Sequence, residues 1–168
     1  RRRSVANVIG ELKRYVALHP DTNQILFYDD VFTFDRKWIG EFAEAYRREI
    51  HIPFWVYTYP EMCDEVILKH LQDCGLLYVK MGIQSGSNRV MKEVYDRNLN
   101  QERILKAVEV LQKLGIYCIY DILIGIPLES EEDLRESLDF LLQIPKPFGL
   151  NVWPIIFYRN YNISKMAR

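Results

Sequence analysis

The sequence predicts an α/β domain built as a partial TIM-like (β/α) barrel, about five parallel strands alternating with helices, and three observations carry that prediction. Hydrophobic strand-like runs alternate strictly with segments of helical period along the 168 residues, a pattern that implies right-handed crossovers and a parallel sheet covered by helices. The runs QILFYDDVFTF, LLYVKMGIQSGS and IYCIYDILIGIPLES each finish in small or charged polar residues. Parallel strands gather their carboxyl ends along one rim, where such folds bind ligands. Neither GxGxxG after the first strand nor GxxxxGK[ST] occurs anywhere, which disfavours an open nucleotide-binding sheet. A complete eight-unit barrel needs about 250 residues, so this length suits one arc of a barrel. No low-complexity linker divides it, and residues 1–168 read as a single domain.

The elements follow in order. Residues 4–18 place Val5, Val8, Ile9, Leu12 and Val16 on one face behind Ser4, a helix N-cap type. Pro20, Asp21 and Asn23 end that helix, and residues 24–28 form a short strand. Helical period returns over 35–50, with Trp38, Ile39, Phe42, Ala45 and Tyr46 inward, before the strand 53–57. A helix over 63–74 stops at Gly75, then comes a strand over 76–83. Short and long helices are expected over 89–95 and 101–114, the second closed by Gly115. A strand over 117–124, a helix opened by Ser130 and Asp133 in a capping-box pattern, and a last strand over 150–157 complete the chain.

Composition narrows the function classes. Lys and Arg total 22 against 23 Asp and Glu, a formal net charge of −1, so no large single-sign field marks a nucleic-acid binder. The initial RRR run reads as a solvated helix entrance. No apolar stretch approaches the ~20 residues that span a bilayer, and no signal-peptide layout is present; a cytoplasmic protein is expected. Cys63, Cys74 and Cys118 are odd in number and widely spaced, which argues for reduced, buried thiols rather than disulfides or a metal clip. His19, His51 and His70 lack ligand spacing, so no metal ligands are expected.

The rim residues are the candidates for function. Asp29 and Asp30 end the first strand; on a strand only one of two neighbours faces the barrel interior, and such acids suit an ammonium group, a metal or the orientation of a base. Thr33 reads as a local cap. In MGIQSGS, Gly82 and Gly86 let a ligand approach the backbone, while Ser85 and Ser87 suit ribose or carboxylate oxygens. Arg97 can clamp a carboxylate. Asp121 lies mid-strand among apolar residues, a costly placement unless it faces a polar cavity or a partner. Tyr57 and Tyr59 end a strand and serve either the rim or the core. Glu129 complements the positive end of the following helix.

In order, FYDDVFT, MGIQSGSNRVMKEVYDRN and YDILIGIPLESEEDL resemble the strand-end motifs of the radical S-adenosylmethionine superfamily. The likeness is strongest to its cobalamin-dependent branch, including anaerobic magnesium-protoporphyrin ester cyclases and related iron–sulfur oxidoreductases. It implies a partial six-unit barrel holding a four-iron cluster and S-adenosylmethionine, whose reductive cleavage gives a deoxyadenosyl radical that abstracts hydrogen from substrate. By the same resemblance, Asp29 and Asp30 lie beside the methionine amino group, and Gln84, Ser85 and Ser87 near the ribose and methionine moieties. Arg97 partners the methionine carboxylate, and Ile124 to Pro127 wall the adenine. The family's CxxxCxxC cluster loop has no counterpart in this cysteine spacing, and many members carry Glu where Gln84 stands.

The expectation is therefore the central and C-terminal part of a radical S-adenosylmethionine barrel, catalytic in the parent protein and inactive alone. Its cluster loop would precede Arg1, and a cobalamin domain would belong to the parent if it has one. The alternative is a non-catalytic α/β nucleotide- or phosphate-binding module. The substrate is a small molecule that the sequence does not identify, and the edge strand over 24–28 is expected to self-associate or be covered.

Overall fold

The computed structural model describes residues 2–158 and 162–166. Five strands form one sheet: β1 (Ile25–Phe27), β2 (Phe54–Thr58), β3 (Leu76–Gln84), β4 (Tyr117–Ile124) and β5 (Gly149–Pro154). All pairings are parallel, and the spatial order is β1-β2-β3-β4-β5. That order separates the two closures open to an alternating chain. A doubly wound sheet reverses its strand order at a switch point; here every strand lies beside its successor, as in a barrel. Crossovers of one hand along such a sheet carry all the helices to one face.

The helices are α1 (Val5–Leu18), α2 (Arg36–Glu49), α3 (Glu65–Asp73), α4 (Asn88–Glu93), α5 (Gln101–Lys113), α6 (Glu131–Gln143) and α7 (Asn162–Met166). Short polar side chains set where most of them begin. The Ser4 hydroxyl accepts from Asn7 N–H, and Asp35 from Trp38 N–H. The Asp64 carboxylate accepts from both Val66 and Ile67, so α3 begins at Glu65, two residues later than its hydrophobic pattern suggests. Ser87 caps α4, Asn100 caps α5, and Ser130 with Asp133 completes the expected capping box on α6. Gly75 and Gly115 follow α3 and α5 with φ of 114° and 64°, the left-handed conformation that ends a helix most cheaply at glycine.

The two faces of the sheet differ. Residues directed at the helices, such as Val56, Val79, Met81 and Ile83, are fully buried. They join a continuous core with Phe27, Phe32, Phe42, Tyr46 and Phe54, whose rings meet mostly edge to face. The Tyr46 hydroxyl donates to Ile52 O at 2.7 Å, so this ring enters the core with its polar atom satisfied. On β3 and β4 the alternate residues Tyr78, Lys80, Gly82, Gln84, Ile119 and Asp121 are only partly buried and face the concave side.

Two local expectations need correction. Thr33 is no cap: it lies in a short 3-10 turn, Phe32–Phe34, fully buried, and its hydroxyl bonds that of Thr58 at 2.7 Å. The last strand ends at Pro154 rather than 157, because its partner β4 stops at Ile124: Ile155 N–H makes the last ladder bond, to Ile124 O at 3.0 Å, and Gly125 with φ of 73° turns β4 away.

Candidate functional site

A cavity of about 600 Å³ opens at the carboxyl rim. Tyr28, Asp29 and Asp30 reach it from beyond β1; Tyr57 and Thr58 from β2 and Tyr59 from just past it; Gly82 and Gln84 from β3; Asp121 from β4; and Arg97 from beyond α4. Both aspartates border it, although alternation allows a strand only one. The reason is that β1 stops at Phe27, so Asp29 and Asp30 lie in the loop above it. Asp29 also edges a neighbouring hollow lined by Arg2 and Trp38.

Gln84 is the strained residue of the rim. The β3–β4 register slips between Gly82 and Gln84, and Gln84 has φ of 73°, a left-handed backbone that costs a non-glycine residue about 1–3 kcal/mol. Its amide folds back over Gly82: a β-carbon there would stand 2.4 Å from Gln84 Nε2. The missing side chain at 82 therefore makes room for the glutamine amide, and the pair forms one wall of the cavity.

Asp121 has partners on β5. It accepts from Asn151 Nδ2 at 2.8 Å and from Trp153 Nε1 at 3.3 Å, which answers the cost of a carboxylate mid-strand. Beside it, burial and the neighbouring Tyr28 hydroxyl push the Tyr57 phenol up to about 12, so it is a neutral hydrogen-bond donor at physiological pH. The Arg97 guanidinium lies 5.5 Å from the Tyr59 ring and 5.8 Å from Tyr95; its backbone N–H donates to Met91 O at 2.9 Å. The cavity thus offers two loop carboxylates, a third carboxylate on β4, an amide and a guanidinium.

Four expected residues lie elsewhere. Ser85 and Ser87 are fully buried and their hydroxyls are already engaged. Ser85 Oγ contacts Ser137 Oγ at 3.2 Å, and Ser87 Oγ donates to Asp133 Oδ1 at 2.7 Å while capping Val90. Gly86 N–H donates to Ser137 Oγ at 2.9 Å, and a β-carbon on Gly86 would come within 2.6 Å of Ser137 Cα. The SGS turn is therefore the seat of α6, not a cradle for ligand oxygens. Asp133 also binds Arg89 through both carboxylate oxygens. The Arg89 guanidinium and the two serines hold its carboxyl well below the usual range. Ile124 pairs with Pro154 at the top of β4 and β5 and is 41 % exposed, and Pro127 follows it; neither lines the cavity.

The cysteines do not fit an iron–sulfur cluster. Cys74 and Cys118 are buried, burial pushes the Cys63 and Cys74 thiols up to about 12, and no group of three His, Cys, Asp or Glu among the described residues could hold a metal. Among the described residues no helix is long and apolar enough to cross a membrane.

Beyond this geometry, the family model of the radical SAM superfamily matches residues 1–141. The chain belongs to that superfamily. It is similar to the ribosomal protein uS12 methylthiotransferase RimO of Thermosipho africanus, 30 % identical over 152 residues, covering 84 % of this chain and 35 % of that protein. The cytidylyl-2-hydroxyethylphosphonate methyltransferase of Streptomyces wedmorensis is 30 % identical, over 83 % of this chain and 27 % of its own length. The chain thus spans about a third of these curated relatives. In fold it resembles the radical S-adenosylmethionine methyltransferase TsrM from Kitasatospora setae, solved with cobalamin and a [4Fe-4S] cluster. The TM-score is 0.74 at 19 % identity, covering 90 % of this chain and 31 % of that one. Coproporphyrinogen III oxidase from Escherichia coli, a radical SAM enzyme, gives a TM-score of 0.74 at 14 % identity, covering 96 % and 40 %. These likenesses agree with the barrel arc read from the strand order.

Proposed function

We propose that the rim cavity binds S-adenosylmethionine, and that the whole protein is a radical S-adenosylmethionine enzyme. One observation carries the reading: Asp29, Asp30, Gln84, Asp121 and Arg97, scattered over 93 positions of sequence, meet around one cavity of about 600 Å³, a volume suited to a nucleoside-sized ligand. The loop carboxylates suit the ammonium and sulfonium charges of the molecule, and Arg97 suits its carboxylate in a two-pronged contact. The neutral Tyr57 hydroxyl and the Gln84 amide supply donors that need no change of charge. S-adenosylmethionine supplies a carbon-centred radical when it is reductively cleaved; the residues of this chain bind it, orient it and shield it from water.

The reaction class rests on the relatives. Their names, methylthiotransferase and methyltransferase, favour group transfer over the oxidoreductase or cyclase chemistry of the sequence resemblance. Use of an iron–sulfur cluster and of cobalamin by the whole protein belongs to the same proposal, and the cluster's ligands are not among Cys63, Cys74 and Cys118. Equilibrium dialysis with labelled S-adenosylmethionine is the direct test. Saturable binding that Arg97→Met weakens supports the reading. Undiminished binding in Arg97→Met combined with Asp30→Asn, or no binding at all, ends it. In the anaerobically reconstituted whole protein, release of 5′-deoxyadenosine on reduction tests the chemistry separately.

A further inference from the structure

One layer beneath the rim, the concave face carries a cation that neither the cavity nor the core uses. Lys80 lies two residues before Gly82 on β3, about 7 Å down the strand. Its Nζ stands 4.4 Å from the centroid of Trp55 and 5.9 Å from that of Tyr57. Trp55 is itself stacked on Tyr78 at 5.2 Å, and Tyr57 lies 5.5 Å from Tyr28. Because Tyr28 and Tyr57 are also walls of the 600 Å³ cavity, the aromatic floor and the cavity form one continuous surface.

Among the described residues the charge on this floor has no ion-pair partner, and none of the three N–H donors of Lys80 is taken by a hydrogen bond. The carboxylate on the adjoining layer, Asp121, is turned to Asn151 and Trp153 on the other side. Contact with a ring face offsets part of the cost of partly burying a lysine, but it leaves the N–H donors empty. A lysine of purely structural role runs its stem over apolar surface and ends in bulk water. Here the ammonium is folded over an indole that is only 8 % exposed.

We propose that Lys80 is an anion subsite for the substrate, taking a carboxylate or phosphate whose apolar, ring-bearing body lies against Trp55, Tyr57 and Tyr28. The assignment rests on the reading of the rim cavity as the S-adenosylmethionine site, since it places the substrate's charged group beneath that ligand. The charged partner completes what the aromatic floor leaves open: an anion accepts the three free donors, while the rings exclude water from the contact and so strengthen it.

The test uses 2-naphthoate and 2-naphthyl phosphate as probes and neutral 2-naphthamide as control, with binding followed by tryptophan fluorescence and by the NMR shift of the Lys80 side chain. The anions should bind at least roughly tenfold more tightly than the amide, the lower end of what a charge-assisted hydrogen bond contributes. Lys80→Met, which keeps the stem against Trp55, should erase the difference, and Lys80→Arg should restore most of it. The stronger of the two anions identifies the substrate's charged group. Equal binding of anion and amide, or an unchanged preference in Lys80→Met with an unchanged melting temperature, overturns the subsite. S-adenosylmethionine dialysis on the same samples separates the two readings. Normal binding there, with no anion preference, removes only the subsite; a Lys80-dependent anion preference without S-adenosylmethionine binding removes the proposed function and leaves an anion site.

Discussion

Gln84 and Ser87 are three residues apart at the end of one strand, both polar, and they serve opposite purposes. Gln84 is held in a left-handed backbone with its amide over Gly82 and its edge on the cavity. Ser87 is fully buried, with its hydroxyl spent on Asp133 and on the first turn of α4. What separates them is the helix behind. α6 presses Ser137 and Asp133 onto Ser85, Gly86 and Ser87, and that contact fixes the turn from which Gln84 is displayed. A polar residue at a strand end is a ligand contact only where no neighbouring element has already satisfied it.

The latch half of this pair should give the larger effects. Asp133→Asn keeps the size of the side chain but removes the charge that binds Arg89, Ser87 and Ser130. The expected loss is about 3 kcal/mol of unfolding free energy, the low end for breaking a buried ion pair because Arg89 is partly solvated. The pH dependence has a definite sign. The Asp133 carboxyl titrates below its unfolded value when folded, so its contribution is complete above about pH 4 and is lost as pH falls through the depressed folded value. The wild-type protein should therefore lose stability on acidification more steeply than Asp133→Asn, as read by urea titrations at several pH values. Parallel acid profiles for the two proteins would remove Asp133 from the latch.

Gly86→Ala probes the same contact by shape. A β-carbon at 86 meets Ser137 Cα at 2.6 Å and Phe140 Cβ at 3.1 Å, so backbone must move, at a cost of about 1–3 kcal/mol. Thermal melts should show the loss. An unchanged melting temperature would mean that α6 is not seated on this turn. Gln84→Gly should act in the opposite sense: relief of the left-handed strain raises stability by about 1 kcal/mol, less the entropy that glycine adds to the unfolded chain. The same variant should bind S-adenosylmethionine less well. Stability and affinity lost together would assign Gln84 to the latch.

Much of this was legible in the chain. Alternating runs gave five strands, Ser4 and the Ser130–Asp133 pair announced their helix starts, and Gly75 and Gly115 their ends, because these are local backbone requirements within a few residues. Asp121 was legible as well, since an acid among apolar strand residues demands a partner or a cavity. The fate of Ser85 and Ser87 was not, because their partners Ser137 and Asp133 lie 52 and 46 residues away. Only the packing of α6 brings them together. The burial of Thr33 is hidden for the same reason, its partner Thr58 being 25 residues on. Lys80 could be placed on the concave face by counting back from Gly82, but its two aromatic neighbours, Trp55 and Tyr57, come from β2, which alternation along β3 does not reveal.

The smallest change in stability, and the sharpest separation of display from latch, is expected at Asp30. It is exposed in the loop above β1 and borders the cavity, so Asp30→Asn should move the unfolding free energy by less than about 0.5 kcal/mol. If this carboxylate meets the ammonium or sulfonium charge of S-adenosylmethionine, affinity should fall by roughly tenfold, as loss of a charge-assisted hydrogen bond implies. The deficit should also shrink as salt is raised, because exposed charges are screened within about 10 Å at 0.1 M ionic strength. Dialysis at two salt concentrations beside a thermal melt gives both numbers from one preparation. A lower melting temperature with unchanged affinity would move Asp30 to the structural side, and would leave Arg97 and Gln84 to carry the binding reading without it.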